Sequence, residues 1–144
     1  MLTKKFVRRT ERIYWGDCDP AGIIYFPRYF DMLDRSTTAM FEQALGMTKI
    51  QFLKWYKFHG YPMVDIRAQF LRTTTFGDEV MIETTVPEFK RSSFNISHRL
   101  LKNGEVAVEC TETRVWVSRD PNDPEKIKPT PVPPDVIEKF ARLP

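Results

Sequence analysis

Cysteine and histidine are both scarce in this chain, with two of each in 144 residues. Cys18 and Cys110 form no CxxC pair and no zinc spacing, which sets aside a zinc module and argues against a disulfide scaffold. His59 and His98 have no metal-ligand or triad partner at a recognisable spacing, so both are read as structural. No GxSxG, GxGxxG or Walker-type loop occurs, which removes the serine elbow and the usual nucleotide cradles. No run approaches the roughly 18 apolar residues of a membrane span. The basic start, Met1 to Arg9, lacks the apolar core of a signal peptide, so no membrane association is expected and cytoplasmic residence is. An excess of charge is missing too: 22 Lys and Arg against 19 Asp and Glu leave only +3. That is too little for nucleic acid without a basic stripe, though it suits a small anionic ligand. No metal or redox cofactor is required.

What is present is an ordinary soluble composition, 42% apolar and 28% charged, in a length best read as one domain over residues 1–144. Phe6 to Trp15 reads as an edge strand of impure alternation. Pro27 opens a helix of about 19 residues and Gly46 closes it. At 100° per residue its apolar stripe is Tyr29, Phe30, Leu33, Thr37, Met40, Phe41, Ala44 and Leu45. Asp34 falls on that stripe between Phe30 and Phe41, a placement that costs several kcal/mol, to order of magnitude, unless the carboxylate is paired or protonated.

A shorter amphipathic segment, Thr48 to Phe58, follows, with Thr48 as its cap. Four strand-like runs come next: Tyr61 to Thr73, Asp78 to Phe89 (with Val86 on its apolar side), Ser92 to Lys102 and Glu105 to Ser118. Asn103-Gly104 is the best short hairpin signal, and Lys90-Arg91 marks a second tight turn. Seven of the eleven prolines lie after Arg119, so residues 119–144 read as an extended wrap with one short helix near Val136, Ile137 and Phe140. One long helix against one antiparallel sheet is an α+β arrangement, and its open edges favour a symmetric dimer.

The chemistry concentrates in Gly16-Asp17-Cys18-Asp19-Pro20-Ala21-Gly22-Ile23-Ile24-Tyr25-Phe26-Pro27. Here a carboxylate and backbone N–H groups share the entrance to a helix, an arrangement suited to acyl chemistry. Asp19 fits an Asx-turn equally well, and the two roles are compatible. Asp17 is the poorer candidate, a turn residue or a partner for a nearby arginine. Because Pro27 has no N–H, the donors must lie near Tyr25 and Phe26. Asp34 suits either an arginine partner or contact with substrate or its water. Lys90-Arg91-Ser92-Ser93 offers phosphate donors at a hairpin tip.

At these residues the chain resembles the 4-hydroxybenzoyl-CoA thioesterase family, of hotdog fold. The likeness runs from about Thr10 to Trp116 and is most specific in Gly16 to Ile23 and Pro27 to Asp34. It implies a long central helix wrapped by a five-strand antiparallel sheet, dimers or tetramers, and active sites at the dimer interface. It implies hydrolysis of an aryl- or short acyl-CoA thioester, with coenzyme A part of the substrate rather than a cofactor. Asp19 takes the place of the catalytic aspartate, and the Phe26 N–H that of the donor polarising the thioester carbonyl. Lys90, Arg91, Ser92 and Ser93 match the coenzyme A-contacting turn, with Ser92 standing where the family has a basic residue. Tyr61 to Asp65 matches the acyl-pocket stretch and keeps its proline, which makes Pro62 and Met63, with Tyr25, substrate-binding candidates. A hotdog dehydratase, which would want a histidine poised beside an acid, and a non-catalytic acyl-CoA-binding module are the alternatives.

Overall fold

The computed structural model describes residues 5–85 and 87–144, so Val86 and the first four residues lie outside the described residues. The elements run β1 (Phe6–Arg12), α1 (Pro27–Leu45), α2 (Lys49–Trp55), β2 (Met63–Phe70), β3 (Glu79–Thr85), β4 (Glu88–Phe89), β5 (Ser93–Lys102), β6 (Glu105–Val115), β7 (Val117–Asp120), β8 (Asp123–Pro129) and α3 (Pro134–Ala141). The main sheet is antiparallel in the order β1-β3-β5-β6-β2, and the two-residue β4 pairs with β5. The five long strands are those expected, with β3 and β4 split around Pro87, which cannot donate to a ladder. Among the described residues no helix is long and apolar enough to cross a membrane.

Proline and glycine set the ends of α1. Pro27 sits in the first turn, where its missing N–H is not needed, and Gly46 closes the helix at φ 66°, a left-handed conformation that costs glycine little. The β5–β6 hairpin turns at Asn103 and Gly104 with φ of 51° and 77°, as an Asn-Gly turn between twisted strands requires. Thr48 caps α2 by accepting from the Gln51 N–H at 3.3 Å, and the Gln51 side chain bonds back to the Thr48 N–H.

The core divides along α1. Its first half packs Tyr29, Met32 and Leu33 against Val80, Ile82, Leu100, Val108 and Cys110 of the sheet. Its second half puts Met40 and Phe41 among Phe52 of α2, Phe94, Trp116 and Phe140 of α3, where the Phe41 ring meets Tyr61 at 4.6 Å and Phe140 at 4.8 Å. Because α2 and α3 wrap only the second half, the helix flank beside Phe30 stays open. Asp34 occupies that flank. Its carboxylate is 56% exposed, which corrects the placement on the buried stripe; Ser36 and Met32 are buried instead. The proline-rich tail also differs from a plain wrap, since it first forms the β7–β8 hairpin, a separate two-stranded sheet, before α3 docks.

At β2 the main sheet ends in an open edge. Of the eight residues in that strand only Ala68 is even partly buried, and Met63, Val64, Ile66 and Phe70 are exposed. An edge this apolar is a surface that soluble chains normally cover.

Candidate active site

The acidic loop between β1 and α1 is a tight backbone hairpin. Cys18 and Ile24 form an antiparallel bridge, the Asp19 N–H donates to the Ile23 carbonyl at 2.9 Å, and the Tyr25 N–H donates to the Asp17 carbonyl at 2.8 Å. Gly22, at φ 80°, makes the reversal. The Asp17 carboxylate accepts from the Tyr14 N–H at 2.9 Å, so it is a turn residue, as its place in the sequence suggests. Asp19 is half-buried. Its Oδ1 accepts from the Ala21 N–H at 2.9 Å, an Asx-turn, and its Oδ2 has no partner among the described residues. The turn therefore fixes the carboxylate and leaves one oxygen unused.

Of the two amides expected to act as donors, Tyr25 is committed to Asp17. The Phe26 N–H has no acceptor among the described residues and sits one position ahead of Pro27, at the positive end of a 19-residue helix. Beside it Phe26, Tyr29, Phe70, Ile23 and Thr73 line an open, mainly apolar pocket of about 240 Å³. Phe26, Tyr29 and Phe30 all contact the Phe70 ring, with centroids 5.5–6.4 Å apart. Asp19 does not line this pocket in the single chain. The Tyr25 ring is exposed next to Phe26.

Asp34 meets a buried network. Its Oδ1 accepts from Arg114 Nη2 at 2.8 Å, and Arg114 Nε donates to Glu112 Oε1 at 2.8 Å. Glu112 Oε1 also accepts from the Thr37 hydroxyl at 3.2 Å and lies 3.5 Å from His98 Nε2, whose other nitrogen pairs with Thr84 at 2.9 Å. His98 is thus structural. Burial pushes the Glu112 carboxyl up, but His98 and Arg114 outweigh it and hold the group below its ordinary range. Arg114 and Glu112 were missed in the sequence. The signal was there, since both fall on the inward alternation of β6 together with Val108 and Cys110.

The remaining candidates lie far away. Pro62 precedes β2 and Met63 begins it, and Lys90, Arg91, Ser92 and Ser93 form the β4–β5 turn, with the Lys90 N–H bonded to the Ser93 carbonyl at 2.8 Å. Lys90 and Arg91 are exposed and form no ion pair among the described residues. Ladder register puts this turn beside Val115, whereas the Asp19 loop comes after Arg12, opposite Glu79. The ten residues of β5 separate these ends by roughly 30 Å. One chain brings Asp19, Tyr25 and Phe26 together and keeps the basic turn apart from them.

A metal would need other groups: among the described residues, no three His, Cys, Asp or Glu side chains gather as ligands. What the acidic end offers is a fixed carboxylate, an unpaired amide and an apolar recess, which is equipment for attack on a carbonyl carbon. The chain belongs to the thioesterase-like superfamily, whose family model matches residues 13–140, and it is an enzyme of the thioester-hydrolase class. It is 35% identical to the 4-hydroxybenzoyl-CoA thioesterase of Pseudomonas sp. strain CBS-3 over 133 residues, covering 89% of this chain and 92% of that one. The solved structure of that Pseudomonas enzyme superposes with a TM-score of 0.85 at 29% identity, over 93% of this chain and 98% of the other. A structure of an Asp-to-Asn variant of a 4-hydroxybenzoyl-CoA thioesterase, complexed with 4-hydroxybenzoyl-CoA, superposes with a TM-score of 0.84 at 30% identity, over 94% and 98%. The hotdog architecture expected from the sequence is the one observed.

Proposed function

We propose that this chain hydrolyses an aryl- or short acyl-CoA thioester, of the 4-hydroxybenzoyl-CoA kind, to a carboxylate and free coenzyme A. The observation that carries the reading is the Asp19 turn, which holds one carboxylate oxygen free on the hairpin that leads to the unpaired Phe26 N–H. Asp19 either attacks the thioester carbonyl or draws a proton from the water that does. The developing oxyanion takes the Phe26 N–H, aided by the helix behind it; losing such a donor typically costs roughly 100- to 1000-fold in turnover. The apolar recess around Phe70 suits an aromatic or short acyl group. Asp34, half in solvent and anchored by Arg114, faces substrate or its water from the open helix flank.

The relatives support this reading, since one is named for 4-hydroxybenzoyl-CoA and another was caught with it after loss of an aspartate. Coenzyme A enters as part of the substrate, and no separate cofactor takes part in these steps. The basic turn at Lys90 to Ser93 holds its phosphates, but from a second copy of the chain. Antiparallel pairing of the exposed β2 edges about a two-fold axis sets the Met63 end of one strand beside the Phe70 end of its partner. That brings the acidic end of each chain toward the basic end of the other, in a homodimer or in a tetramer of two such pairs. The protein works in the cytoplasm, in water, without a membrane or nucleic-acid partner.

The test is thiol release by the purified protein from a panel of aryl and aliphatic acyl-CoAs. Turnover of the aryl members is the expected result. Tight binding of the panel without release of thiol would instead make the chain a binding module. The dehydratase alternative has a histidine beside an acid in His98 and Glu112, but both side chains are buried in the core, out of a substrate's reach, and His59 faces an arginine.

A further inference from the structure

The basic end contains a second pocket that the hydrolytic steps do not use. It has a volume of about 300 Å³, and its polar wall is Lys49, His59, Tyr61 and Arg114, with Val117 and Ile127 on the apolar side. No carboxylate lines it, since Glu112 and Asp34, the acid partners of Arg114, are not part of its wall. Two cations flank one ring here: Lys49 Nζ lies 4.9 Å and the Arg114 guanidinium 5.4 Å from the Tyr61 centroid. Arg114 is a built element of the wall, its side chain only 7% exposed. Lys49 has no carboxylate partner for its ammonium among the described residues.

The other two polar groups meet the hollow differently. Arg119 Nε donates to His59 Nδ1 at 3.5 Å, and His59 Nε2 has no partner among the described residues. Tyr61, 4% exposed, meets Lys49 and Arg114 through its ring, and its buried hydroxyl lies beside Thr38 of α1. Burial pushes the Tyr61 phenol up to about 12, so it stays protonated at neutral pH. Lys49, His59 and the Arg114 guanidinium, the last already paired with Asp34 and Glu112, border a half-apolar hollow whose wall includes no carboxylate among the described residues.

We propose that this pocket binds an oxyanion carried by the substrate, either a carboxylate on the acyl group or a phosphate of the coenzyme. The proposal rests on the thioesterase reading for its substrate, though not for its binding chemistry. A planar carboxylate or a phosphate oxygen between Lys49 and His59 accepts from the Lys49 ammonium and neutralises its charge.

The experiment compares wild type with Lys49→Met, and with Lys49→Arg as the charge-preserving control, on four thioesters. These are butyryl- and succinyl-CoA and the two matching N-acetylcysteamine thioesters. Lys49→Met is expected to raise KM about tenfold with kcat nearly unchanged, and Lys49→Arg to restore most of it. A loss confined to the two coenzyme A thioesters identifies a phosphate as the occupant. A loss confined to the two succinyl thioesters identifies an acyl carboxylate. Equal KM values for wild type and Lys49→Met, or the same loss on all four substrates, overturn the proposal. If none of the four is hydrolysed, these acyl groups are not substrates, the thioesterase reading stands or falls on the aryl panel above, and the pocket is decided by calorimetric titration with inorganic pyrophosphate. Binding about tenfold weaker in Lys49→Met then supports the site, and equal binding, or none to wild type, overturns it.

Discussion

The two ends of α1 are built for opposite tasks. Around its N-terminus the side chains that matter are acids in turns and aromatics in the open: Asp17, Asp19 and Asp78 surround Cys18, and burial together with those three charges raises its thiol. Around its C-terminus lie Lys49, Lys90, Arg91 and Arg119, and Phe41, Phe52, Phe94, Trp116 and Phe140 are sealed into the core, with Trp55 left exposed. Among the described residues, the first end has one unpaired amide and one unpaired carboxylate oxygen, and those four cations of the second form no ion pair. A helix of 19 residues holds the two roughly 28 Å apart, and a stiff sheet prevents them from closing on each other. On the function proposed above, one substrate reaches both ends across a pair of chains, and the bare, apolar β2 edge is the surface proposed for that pairing.

The comparison breaks most readily at Asp19. Asp19→Asn keeps the Asx-turn acceptor and hence the loop, but removes the base or nucleophile, so turnover with an acyl-CoA should fall by about 100- to 10,000-fold. Circular dichroism and size-exclusion profiles should not change. Wild-type-like turnover in this variant would take the chemistry away from the acidic end. A second variant tests what ties the two halves together. Arg114→Met strands Glu112 in the core and frees Asp34, and losing one partner of a buried pair typically costs about 3–5 kcal/mol, measurable by urea unfolding. The pH dependence comes from Glu112, whose carboxyl is held below its ordinary value. A depressed carboxylate stabilises the fold above its unfolded pKa near 4.5 and loses that contribution as pH falls below it. Arg114→Met should therefore flatten the acid limb of the stability profile, and an unchanged limb would remove Glu112 from the balance.

Local rules made one half of this molecule readable and left the other obscure. Pro27, Gly46 and Asn103-Gly104 act through their own backbone, so the helix ends and the hairpin can be read from the chain alone. The Asp19 turn is equally local, being closed by residues within six positions of it. Asp34 is different. Its partner Arg114 lies 80 residues away, and its exposure depends on how far α2 and α3 wrap, which no periodicity reports. The β7–β8 hairpin was hidden by prolines that suggested an extended wrap; Pro124 and Pro129 sit within or at the end of β8, a strand paired along one side only, where a missing N–H can be tolerated. The pocket at Lys49 and His59 joins α2, the loop before β2, β6 and the β7–β8 hairpin, four segments with no shared motif.

The smallest effect belongs to the basic turn, and it sharpens the division of labour. Arg91 stands exposed at the β4–β5 tip; its carbonyl accepts from the Val132 N–H at 2.8 Å, so the backbone of the turn is held whatever the side chain. Arg91→Ala should therefore leave the fold and kcat as they are. If the guanidinium meets a phosphate, its loss should raise KM for an acyl-CoA by about tenfold and leave the matching N-acetylcysteamine thioester unaffected. Combined with Asp19→Asn by mixing the two variants, the experiment also asks where the two ends meet. A heterodimer of Arg91→Ala and Asp19→Asn chains has one site carrying both defects and one carrying neither if the ends join across the interface. If they join within a chain, every site carries one defect and the intact kind disappears. Recovery of wild-type KM in a fraction of the sites, read from biphasic kinetics of the mixed sample, places the substrate across two protomers.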